Sequence, residues 1–347
     1  MALEIKKVQR ILVIKLRAIG DVLLSTVVLK NLREAFPRAK LDFLTEKSSR
    51  EVIEGNHNVN SVIVFDGKHQ SSLGLILNVR GRNYDLVLDL FGNPRSAIVT
   101  YFSGATYRVG YRFGWRRYCY NTVVTPRGGD VHNTEFNLDA LRAIGLPIGS
   151  DRIEFPLTIM AEHLADEYFN LHKLTEKFTV ALNPGGGWYT KRWRIPEFAQ
   201  LGDLLVREWN AKVLVAWGPG ELEDAKKLKS SMKESALLLP QSSLKQLAAI
   251  LKRCSVFVTN DSGPMHIAAA VGTPVVAIFG PTDPELQGPI GTKHEVVQNE
   301  RLLCLGCNFT DCPIGNPCML ELSVEEVMNG VRRVVEKNKL TVGKHPA

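Results

Sequence analysis

The chain has 347 residues, more than one small hydrophobic core supports, which sets the expectation at about two domains. Apolar residues make up 45% and charged residues 23%, an ordinary globular balance that excludes a low-complexity chain. The formal net charge of +7 leans toward anionic partners without demanding nucleic acid.

The opening MALEIKKVQR is charged and the apolar run behind it, ILVI, is short, so no signal peptide is expected. Charges interrupt every longer apolar run, so no transmembrane span is expected either. The protein is therefore expected in the cytoplasm, with any membrane contact peripheral.

In chain order, RILVIKL (10–16) reads as a strand and DVLLSTVVLKNLREAF (21–36) as a helix closed by Pro37. KLDFLTE (40–46), VIVFD (62–66) and YDLVLDL (84–90) read as strands, the last two separated by a helical stretch. Residues 90–129 then differ in kind. They hold six arginines (Arg95, Arg108, Arg112, Arg116, Arg117, Arg127), interleaved aromatics and no Asp, Glu or Lys. Such a mix suits RNA, by stacking and phosphate contact, or an anionic glycolipid at a membrane surface, or a solvated loop with structural ion pairs.

After about residue 160 the pattern restarts. FTVALNPG (178–185) is a strand, and PEFAQLGDLLVREW (196–209) is a helix with Pro196 in its first turn. AKVLVAWG (211–218) is a strand. SLKQLAAILKRC (243–254) opens on a capping box, Ser243 with Gln246. VFVTND, an alanine-rich helix and VVAIFG follow, and the closing helix carries a second box, Ser323 with Glu326. Alternating strands and helices predict the α/β class, with parallel sheets covered on both faces. The restart predicts two doubly wound, Rossmann-like domains, 1–165 and 166–347, with a linker near 155–177. The last helix can pack back on the first domain.

In such sheets ligands sit at the carboxyl ends of strands, and four of those ends carry chemistry. At KLRAIGDVLLS, Asp21 starts a helix; it serves either as a routine acidic cap or as a general base. No GxGxxG follows the first strand, which disfavours a dinucleotide oxidoreductase or epimerase. At NPGGGWYTKRW, Gly186 and Gly187 allow close backbone approach to an anion, and Lys191 and Arg192 add charge, although the loop is not a Walker A sequence. At VAWGPGELED, Glu221 or Glu223 can accept from ribose hydroxyls, or merely acidify a first turn. At VTNDSGPMH, Asp261 can cap while the N–H groups of Ser262 and Gly263 face a diphosphate, and His266 lies one turn into the helix. Four of the six cysteines, Cys304, Cys307, Cys312 and Cys318, form C-x2-C-x4-C-x5-C, which leaves zinc binding and a plain loop both open.

Taken together, IGDVLLST with YDLVLDL, NPGGGWYTKRW, and VTNDSGPMHIAAAVGTPVVAIFGPTDP resemble the bacterial heptosyltransferases of glycosyltransferase family 9, over nearly the whole chain. The resemblance implies a GT-B fold, two Rossmann-like domains facing across a cleft, with the first domain binding acceptor and the second the nucleotide sugar. It implies inverting, metal-independent transfer of L-glycero-D-manno-heptose from ADP-heptose to the lipopolysaccharide inner core, without a cofactor. On it Asp21 matches the catalytic base, Lys191 the donor-phosphate lysine, Glu221 or Glu223 the ribose-binding glutamate, and Asp261, Ser262, Gly263 and His266 the nucleotide segment. Arg95 and Arg112 are the candidates for acceptor carboxylates or phosphates. The implied partners are an ADP-sugar and an anionic glycolipid (a lipid A–Kdo core) at the cytoplasmic face of the inner membrane, with no nucleic acid. A transferase of the same fold with another ADP-sugar or acceptor, and a nucleic-acid-binding protein using residues 90–129, are the alternatives.

Overall fold

The computed structural model describes residues 7–343, and the charged opening residues 1–6 lie outside it. The chain divides into two compact units, Met1–Pro156 and Leu157–Ala347.

The first unit holds six parallel strands: β1 (Arg10–Ile14), β2 (Lys40–Glu46), β3 (Ser61–Phe65), β4 (Leu86–Asp89), β5 (Tyr107–Tyr111) and β6 (Thr122–Val124). They lie in the order β3-β2-β1-β4-β5-β6. Parallel strands need both faces covered, and β1 and β4 are accordingly buried along almost their whole length. Each Val or Leu side chain so buried contributes about 1.5–3 kcal/mol relative to exposure.

The second unit repeats the plan. Its strands are β7 (Thr179–Asn183), β8 (Lys212–Val215), β9 (Ala236–Leu238), β10 (Val256–Asn260), β11 (Val275–Ile278) and β12 (Glu295–Val297). The order β12-β11-β10-β7-β8-β9 is the same doubly wound order seen from its other edge. The expected α/β class with two Rossmann-like domains is what forms, and each sheet reverses its strand order once, between β1 and β4 and between β7 and β10.

Several expectations need correction. The helix read over 21–36 is two helices, Ile19–Ser25 and Val27–Ala35. The Ser25 and Thr26 hydroxyls donate to the Val22 and Leu23 carbonyls at 2.7 Å, competing with the helical ladder where it breaks. The stretch read as a linker near 155–177 contains the helix Ile159–Leu171, whose Ala161, Ala165 and Phe169 are buried at helical spacing. That helix packs on Leu244–Arg253 of the second unit, so the units part before the expected boundary at 165/166. The closing helix, Val324–Lys337, packs on β10, β11 and β12 of its own unit. Both capping boxes form, at Ser243 with Gln246 and at Ser323 with Glu326. No helix among the described residues is long and apolar enough to cross a membrane.

Candidate active site

In the first unit the reversal point brings together the ends of β1 and β4. Lys15 follows β1 directly; it is buried, and its ammonium donates to the Leu90 carbonyl at 3.0 Å. Burial pulls its pKa down, and the nearby charges of Asp21 and Asp89 work against that pull. Asp89 ends β4 and is wholly buried. Burial pushes its pKa up, opposed by the Gly92 N–H and the Tyr120 hydroxyl, which donate at 2.9 and 2.7 Å.

Asp21 is not the N-cap of its helix. Ala18 holds that position, and Asp21 is the third helical residue. Its Oδ2 accepts from the Ala18 N–H at 3.2 Å, and its Oδ1 accepts from Asn133 Nδ2 at 2.8 Å. A half-exposed carboxylate held by two donors retains lone pairs for a substrate hydroxyl.

The six arginines divide. Arg127 forms a two-point pair with Asp139, at 2.8 and 2.6 Å, so it is a structural ion pair despite the acid-free stretch around it. Arg116 bonds the Gly92 and Phe113 carbonyls. Arg95 and Arg112 are exposed; Arg95 donates to Ser72 at 3.3 Å and lies over the Phe65 ring. Residues 90–129 also contain β5 and β6, which the composition did not reveal. Gly110 in β5 is required, because a side chain there would collide with the Tyr120 ring.

In the second unit the reversal point joins the ends of β7 and β10. Asn260 is its buried hub. Its Nδ2 donates to the Pro184 and Gly185 carbonyls, both at 2.9 Å, and its Oδ1 accepts from the Trp193 N–H at 3.0 Å. Glu221 secures the other side of the glycine loop, accepting from Gly186 N–H at 3.0 Å and Gly218 N–H at 2.8 Å. A Cβ at Gly185 would strike the Glu221 carboxylate and push it off the loop N–H groups that it accepts from. The glycine loop is therefore less bare than expected. The Gly185 and Gly186 N–H groups are engaged with Asn183 and Glu221, and only Gly187 has open space around it. Of the two glutamates, Glu223 faces solvent and pairs with Lys226, while Glu221 belongs to the loop.

Asp261 is likewise no cap. Ser262 is the N-cap of the helix Gly263–Ala270, and Gly263 its first residue. The Asp261 carboxylate instead takes the Lys191 ammonium at 2.6 Å and the Thr282 hydroxyl at 2.7 Å. Lys191 also sits over the Trp188 ring, 4.4 Å from its centroid. The ammonium thus stands beside the residue before a helix N-cap; Pro264 carries no N–H and the Met265 N–H bonds the Ser262 carbonyl, which leaves the Ser262 and Gly263 N–H groups to favour an anion. His266 is buried one turn in. A cavity of about 810 Å³ lies beside the loop that carries Lys191, lined by Thr190, Arg192, Asp224 and Asp311 among others, but Lys191, Asp261 and Ser262 do not line it.

The four spaced cysteines are free thiols; Cys304 is exposed and Cys318 buried. Among the described residues no group of three or more His, Cys, Asp or Glu side chains is arranged to hold a metal ion. Sequence reading missed Lys15, Asp89, Asn133, Asn260 and Thr282. A lone lysine in the apolar run RILVIKL was a usable signal; Asn133, far from Asp21 in sequence, offered none.

Comparison with known proteins follows the same lines. The family model described as glycosyltransferase family 9 (heptosyltransferase) matches residues 73–316. Lipopolysaccharide heptosyltransferase 3 of Escherichia coli (strain K12) is 25% identical over 320 residues, covering 82% of this chain and 90% of that protein. The crystal structure of the family 9 glycosyl transferase from Veillonella parvula DSM 2008 superposes with a TM-score of 0.85 at 26% identity, covering 97% of this chain and 99% of that one. The E. coli ADP-heptose lps heptosyltransferase II structure gives 0.79 at 21% identity, covering 95% and 100%.

Proposed function

The chain belongs to glycosyltransferase family 9 and is a glycosyl-transferring enzyme, and from that premise we propose that it moves L-glycero-D-manno-heptose from ADP-heptose to the inner core of lipopolysaccharide. The observation that carries the donor half is the Lys191–Asp261 pair beside the helix start at Ser262 and Gly263. Lys191 and that helix end stabilise the negative charge that grows on the departing diphosphate. Glu221 is the candidate partner for the ribose, Gly186 and Gly187 flank the phosphates, and His266 supports the same helix.

The acceptor half is assigned to the first unit, with Arg95 and Arg112 meeting its carboxylates or phosphates. Asp21 removes the proton from the attacking hydroxyl. The new C–O bond forms on the face opposite the diphosphate, and the old C–O bond breaks with its electron pair leaving on ADP. The anomeric centre is inverted, as when water attacks in inverting glycoside hydrolysis. On this reading the step needs no metal, and the enzyme works in the cytoplasm, peripheral to the inner membrane.

The test is product analysis with ADP-heptose, other ADP-sugars and UDP-sugars, offered with a Kdo-bearing lipid A acceptor in the presence of EDTA. Transfer from ADP-heptose alone, with inversion read by NMR, is the expected result. Transfer from another ADP-sugar would keep the chemistry and replace the sugar. Retention of configuration would sink the role of Asp21.

A further inference from the structure

We propose that the paired helices Ser72–Gly81 and Pro94–Phe102, with the turn Gly114–Cys119 beside them, form a surface that docks on an anionic phospholipid bilayer. Six large apolar side chains stand out from it: Leu73, Leu77, Tyr101, Phe102, Trp115 and Tyr118, each between 49% and 69% exposed.

They form one face because the two helices run side by side. Arg95, at the start of the second, reaches Ser72 at the start of the first. Arg80, at the end of the first, donates to the Phe102 carbonyl at the end of the second, at 3.2 Å. Leu73, Leu77 and Arg80 follow one another at four- and three-residue spacing, so they share a stripe. The second helix also packs against the turn that carries Trp115 and Tyr118.

Charge identifies the occupant. Residues 70–119 hold seven arginines, of which Arg82 pairs with Asp42 at 3.2 Å, and only two acids, Asp85 and Asp89. Asp85 accepts from the Gln9 and Arg10 N–H groups, and Asp89 is buried. The arginines at the rim bond neutral groups: Arg80 the Phe102 carbonyl, Arg108 the Ala105 and Cys119 carbonyls, and Arg117 the Tyr118 hydroxyl. Among the described residues none of these three has a carboxylate partner. Their charge is left for phosphate headgroups, while leucines and aromatics enter the headgroup–acyl boundary. Exposed aliphatic leucines favour a lipid over a nucleic acid, which would use the aromatics and arginines alone.

The inference deepens the proposed function only in placing the acceptor in a bilayer. It is tested by sedimenting the full chain with vesicles of phosphatidylcholine alone or mixed with phosphatidylglycerol. The protein should pellet with the mixed vesicles and far less with the neutral ones. The double variant Leu73→Glu/Leu77→Glu, and separately Tyr101→Ser, should lower that partition, the double variant by about tenfold or more. Both variants alter exposed positions and should keep turnover on an acyl-free, water-soluble acceptor. Wild-type protein that ignores phosphatidylglycerol, or variants that bind as wild type does, would overturn the surface. So would a wild-type dimer that the variants split, or RNA binding without vesicle binding. Loss of turnover by wild type on every acceptor would strike the functional reading and leave the vesicle result standing.

Discussion

Asn133 and Asp21 stand 112 positions apart in the chain and meet side chain to side chain, Nδ2 to Oδ1, at 2.8 Å. The other Asp21 oxygen rests on the Ala18 N–H. Two donors from different elements fix where the carboxylate points, and the general base proposed for this position acts only when aimed at the proton it takes. Asn133→Ala should therefore lower turnover by roughly tenfold while leaving nucleotide affinity unchanged. Its cost in stability should be only about 1 kcal/mol, the usual size of one hydrogen bond. Steady-state kinetics beside a urea titration separates the two effects; a stability loss with unchanged turnover would make Asn133 a structural residue.

The Lys191 ammonium is shared between Asp261, at 2.6 Å, and the face of Trp188. A hydrogen bond to a charged group contributes about 1.5–3 kcal/mol. Lys191→Ala should weaken ADP binding by roughly tenfold or more, and Lys191→Arg should restore it poorly, because a planar fork does not replace a compact ammonium. Calorimetric titration of both variants checks this. Full recovery with arginine would mean that only net charge matters there.

Asn260 serves three backbone groups at once, on Pro184, Gly185 and Trp193. Alanine would leave them without those partners in a buried place, at a cost of about 2–4 kcal/mol. The midpoint of urea unfolding should fall accordingly, and a change below about 1 kcal/mol would show the glycine loop held by other means.

His294 supplies a pH dependence. Its Nδ1 accepts from the Val275 N–H at 3.2 Å, and its Nε2 lies 3.0 Å from the Ile290 carbonyl, a pattern that suits the neutral ring. Burial lowers its pKa to about 4 from an ordinary 6.5. A lowered value means that the unfolded chain binds the proton first. The stabilisation is complete above about pH 6.5 and is lost as pH falls toward 4, a change on the order of 2–3 kcal/mol. His294→Gln should flatten that limb of the stability curve. An equally steep limb in the variant would assign it to other groups.

The fold was largely legible because parallel strands buried on both faces must be continuous apolar runs, and RILVIKL and VFVTN are such runs. What escaped were short strands such as β5, where YRVGY carries an arginine and a glycine whose need is set by Tyr120 from outside the strand. The site was legible as positions and illegible as partnerships. Asp21, Glu221 and Asp261 could be picked out at strand ends. Yet Asp21 and Asp261 are not the caps that local sequence suggested, because their bonds go to Asn133, Lys191 and Thr282, brought in by topology. Likewise Glu221 consumes the glycine N–H that the loop was expected to offer. Arg127 finds its acid in Asp139, outside the acid-free stretch.

The proposed enzyme is an ADP-sugar transferase with a donor half that binds nucleotide and a separate base, Asp21. Calorimetric titration of ADP, UDP, GDP and TDP into wild-type protein and Asp21→Ala, without added metal and beside turnover measurements, tests it most directly. Selective ADP binding that the variant keeps is the expected result, while its turnover falls by roughly 100-fold or more. Nucleotide binding without preference for ADP would contradict the donor, and equal loss of binding and turnover in Asp21→Ala would contradict the base.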